Sequence, residues 1–288
     1  MSPAQRKKTV LITGCAGVGI GNHLAREFHA NGLLVIATAR NKASLAELEE
    51  MGMETLSLDV TSEESIRAAR EAVEGLVGGG GLDILVHNAG RNLTLPALDV
   101  PLSEARLTFE TNFFSIVALN QAFIPLLIAA SPSLILNIGS VAAIVPYTFG
   151  SIYNASKAAL HSYANTLRLE LEPFGVRVMV VVTGGVKSDI ARTERVLPRD
   201  SLYLEVEGEH RRRVGHSQEG AMDAGVYARG VVREALRGRP RAWYWRGNRA
   251  GEIWWAWNLG LGWIFDWVMR RTWGLNRLRE VALGRKFK

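Results

Sequence analysis

The chain of 288 residues contains one cysteine, Cys15, and no tryptophan before position 243. A lone cysteine excludes an internal disulfide framework and suits a reducing compartment. Nowhere do Cys and His cluster at metal-ligand spacing, so no metal site is expected. The opening MSPAQRKKTV is a short basic lead into a brief apolar run, and it lacks the long apolar stretch of a signal peptide. Low-complexity tracts are missing as well. With 48% hydrophobic and 22% charged residues, the composition is that of a globular chain long enough for one full core plus an appendage.

Charge is unevenly placed. Residues 1–200 carry 17 Lys and Arg against 19 Asp and Glu, whereas residues 201–288 carry 17 against 9 and hold all eight tryptophans. The expected division is a core over residues 1–190, with 191–288 as a lid and a basic, Trp-rich extension of the same domain.

Thr9–Thr13 is a short β-branched run that reads as a buried strand. A loop with Gly14, Gly17, Gly19 and Gly21 follows and leads into a helical pattern through Leu24 and Phe28. Strand, glycine loop and helix together bring backbone N–H groups and a helix N-terminus to a phosphate. Further strands are expected at Leu33–Thr38, Thr55–Leu58, Leu82–Val86, Ser133–Ile138 and Val176–Val182. Between them, helices are expected over 42–51, 62–77, 102–130 and 149–172, with Pro125 kinking or ending the third. Gly78–Gly81 reads as a mobile surface link. Alternating strands and helices predict an α/β, Rossmann-like doubly wound parallel sheet whose ligand lies beyond the strand C-termini. Gly14, Arg40, Asp59, Asn88, Ser140 and the Thr183–Ser188 segment each follow a predicted strand, so all open onto one edge.

Two further patterns carry chemistry. About twenty residues past the glycine loop, where an acid would bond the ribose 2′-hydroxyl of NAD, stand Thr38, Ala39 and Arg40. An arginine there suits a 2′-phosphate and favours NADPH. Farther on, Tyr153 and Lys157 stand four residues apart, thirteen residues after Ser140. On a helix such a pair shares one face, and an ammonium beside a phenol favours the phenolate. Lowering a tyrosine pKa by about three units takes roughly 4 kcal/mol, which would make Tyr153 a usable acid or base near neutrality.

Taken in order, Thr13-Gly14 through Gly19-Ile20-Gly21, Asp59, Asn88-Ala89-Gly90, Asn112, Ser140 and Tyr153 with Lys157 resemble the short-chain dehydrogenase/reductase family over residues 8–190. The resemblance implies hydride transfer between a nicotinamide cofactor, NADPH/NADP+, and a carbonyl or alcohol carbon. It implies Tyr153 as proton donor, Lys157 lowering its pKa and holding the nicotinamide ribose, Ser140 on the substrate oxygen and Asn112 holding a relay water. Gly14, Gly19, Ile20, Gly21, Thr38 and Arg40 would bind the cofactor. Asp59 would meet its adenine, Asn88 would support the adenosine side, and Val186 and Ser188 would hold the nicotinamide amide. The chain departs from the family pattern in three places. Four residues separate Gly14 from Gly19 where three are usual, His87 stands where asparagine is commonest, and Thr183-Gly184 replaces Pro-Gly. These departures and the RAWYWRG segment are similar to fungal reductases of the 1-acyldihydroxyacetone-phosphate reductase type and to ketoreductases of fungal secondary metabolism. That implies a small apolar ketone or alcohol substrate, a homo-oligomer, and an intracellular place, cytoplasmic or peripheral to endoplasmic reticulum or lipid droplets.

In the family, residues 189–216 would form the substrate lid. Arg211–Arg213 there read either as a site for a substrate phosphate or carboxylate or as a solvated helix face, and neither His210 nor His216 has a partner legible in the sequence. Ile253–Met269 carries one charge in seventeen residues. As one helix it would be about 25 Å long, short of the roughly 30 Å bilayer core, with Asp266 inside it. A transmembrane span is therefore rejected. A substrate channel, an oligomer interface, a buried helix, or peripheral membrane contact through residues 253–273 stay open, with Arg270, Arg271, Arg277, Arg279, Arg285, Lys286 and Lys288 meeting anionic lipid in the last case. No nucleic-acid motif accompanies the basic residues, so no nucleic-acid partner is expected.

Overall fold

A computed structural model describes residues 6–188, 190 and 195–286. Residues 189 and 191–194 of the expected lid, and Lys288 of the tail, lie outside the described residues. Seven strands form one sheet in the order β3-β2-β1-β4-β5-β6-β7. They are β1 (Thr9–Ile12), β2 (Leu34–Ala39), β3 (Glu54–Ser57), β4 (Ile84–His87), β5 (Ser133–Ile138), β6 (Val176–Thr183) and β7 (Trp243–Arg246). Every neighbouring pair is parallel. The chain reverses its direction of travel across the sheet between β1 and β4, the switch point where α/β sheets open a crevice.

The buried strands explain their own sequence. Successive side chains alternate between faces, so Val10 and Ile12 join one core while Leu11 joins the other. In the first core α1 (Ile20–Ala30) and α8 (Ala224–Ala235) bring Leu24, Phe28, Tyr227 and Val231 against the sheet. In the second, α3 (Glu63–Val77), α5 (Ser115–Ala129) and α6 (Ser151–Leu171) contribute Val73, Leu119, Phe123 and Leu167. The short α2 (Ala46–Glu50) adds Leu48 to the first core.

Several expectations change. The segment 102–130 is α4 (Leu102–Phe109), a π turn over Glu110–Phe114, and α5, and Pro125 sits inside α5 without ending it. The break falls at Asn112 instead. By length and composition Leu102–Ala129 could cross a membrane, with a hydropathy of 1.7. Its Leu119, Phe123 and Leu127 are fully buried on the sheet, which is the packing of a core helix. Of the glycines at 78–81, Gly78 and Gly79 lie exposed at the surface as expected, whereas Gly80 and Gly81 are packed in. A Cβ on Gly80 would strike the Arg6 side chain at 2.5 Å, and one on Gly81 the Leu126 carbonyl oxygen at 2.4 Å. Arg6 in turn grips Asp83 through two hydrogen bonds of 2.9 and 3.1 Å.

The tail differs most. Trp243 and Trp245 belong to β7, which pairs with β6. Ile253–Met269 is not one helix but parts of α9 (Ala250–Asn258) and α10 (Gly262–Thr272), separated at Gly260 with φ of 72°. A last helix, α11 (Leu275–Lys286), ties back to α7 (Glu207–Gly215) through Arg277 and Glu209 at 3.0 Å. Trp273 between these helices is fully buried, against Tyr147 and His216.

Candidate active site

The glycine loop sits where β1 hands over to α1. Gly14 has φ of 74° and packs so closely that a Cβ would meet Ala89 Cα at 2.9 Å; a Cβ on Gly21 would meet the Gly14 carbonyl oxygen at 2.4 Å. These two positions need glycine for the loop to close. Gly19 differs: a Cβ there would meet nothing within 4 Å. It is the N-cap of α1, and among the described residues no capping side chain bonds the first-turn N–H groups. Free N–H groups at a helix start beside open space suit an anion, and Ile20 begins that turn. Asn88 ties the loop to β4, its Nδ2 donating to the carbonyls of Thr13 and Gly14, each at 2.8 Å. Thr38 braces the same loop. Its hydroxyl donates to the Ile12 carbonyl at 3.0 Å, and its carbonyl accepts from Cys15 N–H at 2.8 Å.

At the ends of β2 and β3, Arg40 is exposed while Asp59 is half-buried. Asp59 Oδ1 accepts from Thr61 N–H at 2.9 Å and the Thr61 hydroxyl at 2.7 Å. These bonds, with the Arg40 charge nearby, hold its carboxyl below the usual range.

Ser140, Tyr153 and Lys157 converge beyond β5. Ser140 acts on the Tyr153 phenol, and its hydroxyl accepts from Ala142 N–H at 3.1 Å. Lys157 Nζ donates to the Ile138 carbonyl at 2.9 Å, and burial pulls it down to about 8. Tyr153 itself is pushed up by burial, against which the Ser140 hydrogen bond and the Arg213 charge act. An arginine from α7, Arg213, thus also acts on the phenol. Asn112 is fully buried: Oδ1 accepts from Arg91 N–H at 2.8 Å, and Nδ2 donates to the Arg91 carbonyl and the Ser156 hydroxyl, each at 3.0 Å. Its side chain thereby fixes the segment after Asn88. The π turn carrying it is the kind of helix irregularity that recurs at functional sites.

Past β6, Val186 and Ser188 already hold a primary carboxamide. Gln218 Nε2 donates to the Val186 carbonyl at 3.3 Å, and Ser188 N–H donates to Gln218 Oε1 at 3.0 Å. A nicotinamide amide presents the same donor and acceptor, so these two backbone groups fit it. Thr183, at the position of the usual proline, bonds its hydroxyl to that of buried Tyr227 at 2.7 Å.

One residue, His161, escaped the sequence reading, and three others were named without the roles they take. His161 accepts Ser140 N–H on Nε2 at 3.2 Å and lies edge-on to Trp243. Its spacing of four from Lys157, next to Leu160, was the available signal. His210 and His216, expected to lack partners, bond Thr94 and Tyr147 respectively. Arg213 is buried while Arg211 and Arg212 are exposed. Val206, His210 and Arg213 fall at i, i+4 and i+7, an inward face that could have been read.

A seven-stranded parallel sheet with a Gly-rich βα turn at its switch point, and Ser, Tyr and Lys at its C-terminal edge, is the architecture of a nucleotide-dependent oxidoreductase. The sequence profile described as short chain dehydrogenase matches residues 8–196. The short-chain dehydrogenase RED1 of Pyricularia oryzae is 39% identical over 277 residues, covering 95% of this chain and 97% of the relative. An NADPH-dependent 1-acyldihydroxyacetone phosphate reductase of Schizosaccharomyces pombe is 42% identical over 205 residues, 69% of either chain. Among solved structures, a short-chain dehydrogenase from Streptomyces avermitilis superposes with a TM-score of 0.78 at 25% identity, over 94% of this chain and 99% of its own. The chain belongs to the short-chain dehydrogenase family of oxidoreductases.

Proposed function

We propose that this protein is an NADPH-dependent reductase of a ketone on an apolar substrate. The observation that carries this reading is the convergence of Ser140, Tyr153 and Lys157 beside backbone groups that hold a carboxamide. NADPH bound there supplies the hydride for the carbonyl carbon. The first turn of α1 and Gly19 hold its pyrophosphate, Arg40 its 2′-phosphate, Asp59 its adenine end, and Val186 and Ser188 its amide once Gln218 withdraws. Ser140 donates to the carbonyl oxygen, and Tyr153 passes its phenolic proton to the forming alkoxide. Lys157, near Gly90, stabilises the phenolate left behind and holds the ribose. Asn112 keeps the Arg91 segment and Ser156 in register beneath them. The test is NADPH oxidation across a panel of aliphatic and cyclic ketones, with the alcohol product quantified. Cofactor binding with no ketone reduced would point to a non-catalytic nucleotide-binding protein instead.

A second reading concerns place, and the tail favours it. Trp255, Trp257, Trp263 and Trp267 are each at least half exposed, with Arg270 and Arg271 beside them in α10. Tryptophans with basic neighbours suit the headgroup zone of an anionic membrane surface, as an acyl-lipid ketone substrate would require. Flotation with phosphatidylserine-containing liposomes should carry the wild type upward and leave a Trp263→Ser, Trp267→Ser variant behind. Equal flotation of both would put the contact elsewhere than on this face, and flotation of neither would remove membrane contact; either result would leave an oligomer interface as the use of this face.

A further inference from the structure

Three consecutive arginines in α7 have different fates. Arg211 is exposed and paired with Glu207 at 3.4 Å, and Arg212 is exposed and reaches the Thr272 carbonyl at 3.4 Å. Arg213 is 3% exposed. Its Nε donates to the Thr148 carbonyl at 3.0 Å, and its guanidinium carbon lies 3.3 Å from the centre of the Tyr147 ring. One terminal nitrogen is 3.2 Å from where a Cβ on Gly150 would stand. Gly150 is the N-cap of α6, three residues before Tyr153. No carboxylate pairs with Arg213 among the described residues.

Burying a cation without a counter-ion is costly. The face of Tyr147 offsets part of that cost, and Tyr147 is itself fixed by a short hydrogen bond to His216 and by contact with Trp273. Lid, tail and α6 entrance thus cooperate to hold a guanidinium in place. A guanidinium carries five N–H donors, and the hydrogen bond to Thr148 uses one. Burial brings Arg213 down to about 10, which leaves it a cation at neutral pH. Thr148 and Gly150, which it touches, lead directly into the first turn of α6, so its guanidinium lies beside the turn that carries Tyr153.

We propose that Arg213 is the anion anchor of the substrate cleft, and that the ketone reduced there carries a carboxylate or phosphate close to its carbonyl. The planar fork of an arginine matches two oxygens of either group. The inference rests on the reductase reading and narrows its substrate to one class.

The test compares kcat/KM with NADPH for two matched pairs: a long-chain 4-oxo acid with its methyl ester, and a long-chain 1-hydroxy-2-ketone phosphate with the free hydroxyketone. The wild type should favour the anionic member on the order of 10- to 100-fold, the range for a charge-assisted hydrogen-bonded pair. The pair with the larger ratio tells phosphate from carboxylate. In Arg213→Met the ratio should fall toward one, and in Arg213→Lys it should keep an intermediate value. Equal rates within both wild-type pairs, or an Arg213→Met variant whose ratio is unchanged because both members slow alike, would overturn the anchor while leaving the reductase reading intact. If Arg213→Met does not fold, Arg213→Lys decides: a lowered ratio supports the anchor and an unchanged one overturns it. If no ketone is reduced, the reductase reading fails separately. The anchor is then judged by thermal shift with the same compounds and NADP+, where stabilisation by anionic members alone, lost in the variants, supports it, and no difference overturns it.

Discussion

Replacing His87 by Asn and His161 by Gln together should flatten the acid denaturation of this protein between pH 6.5 and about 4.5. Both imidazoles are buried and held neutral. His87 Nε2 bonds Asn120 Oδ1 at 2.8 Å, while its Nδ1 is buried with no partner among the described residues, so a second proton would enter apolar surroundings. His161 Nε2 accepts from Ser140 N–H, and a proton there would set donor against donor and add a cation near Lys157. Burial pulls each from its ordinary 6.5 to about 4. Because the folded value is the lower one, the unfolded chain takes up the proton first. The stability tied to each histidine is therefore complete above pH 6.5 and is lost as pH falls to about 4. At 1.36 kcal/mol per pH unit this is about 3 kcal/mol for each residue, a large share of the roughly 5–15 kcal/mol typical of a folded chain. Carboxylates held low, such as Asp59 and Glu234, act at lower pH and stay outside this window. His210 and His216, also lowered by burial, remain in the double variant and leave it a residual slope. Urea unfolding followed by tryptophan fluorescence at half-unit pH steps measures the difference. Parallel slopes for wild type and variant would refute the reasoning.

Two other outcomes bear on the cofactor site. Arg40→Ala should raise KM for NADPH about 10- to 100-fold, the scale of a lost hydrogen bond to a charged group, and change KM for NADH less than about twofold; equal effects would show that the 2′-phosphate is not read at Arg40. Gln218→Ala should free the Val186 carbonyl and Ser188 N–H and tighten NADPH binding roughly 3- to 10-fold, since two net hydrogen bonds no longer compete. Weaker binding by titration calorimetry would mean that Gln218 supports the cofactor rather than standing in for its amide.

Six of the seven strands were legible, five of them as apolar runs of Val, Leu and Ile, with the edge strand Glu54–Ser57 readable from its place between two helical segments. Parallel strands buried on both faces leave that signature. The seventh, Trp243–Arg246, was hidden by the tryptophans around it, although aromatic residues favour strands. The π turn at Asn112 leaves no trace in composition, and the Pro125 that seemed to mark the break sits within α5. Tyr153, Lys157 and Ser140 were found by spacing, but the electrostatics were not. Burial sets Lys157 low and Tyr153 high, and burial depends on packing from residues as distant as α7. The same holds for Arg213, which cannot be told from Arg211 and Arg212 until α7 packs over Tyr147 and Gly150.

The most direct test of the catalytic account is deuteride transfer from 4-deuterated NADPH to a ketone that the wild type reduces, followed by mass spectrometry of the alcohol, with Tyr153→Phe alongside. The account predicts one deuterium at the carbinol carbon with the wild type. The variant should bind NADPH with a Kd within about twofold and lose at least about a hundredfold in rate, the lower range for a general acid. Deuterated alcohol formed by Tyr153→Phe at the wild-type rate would contradict it.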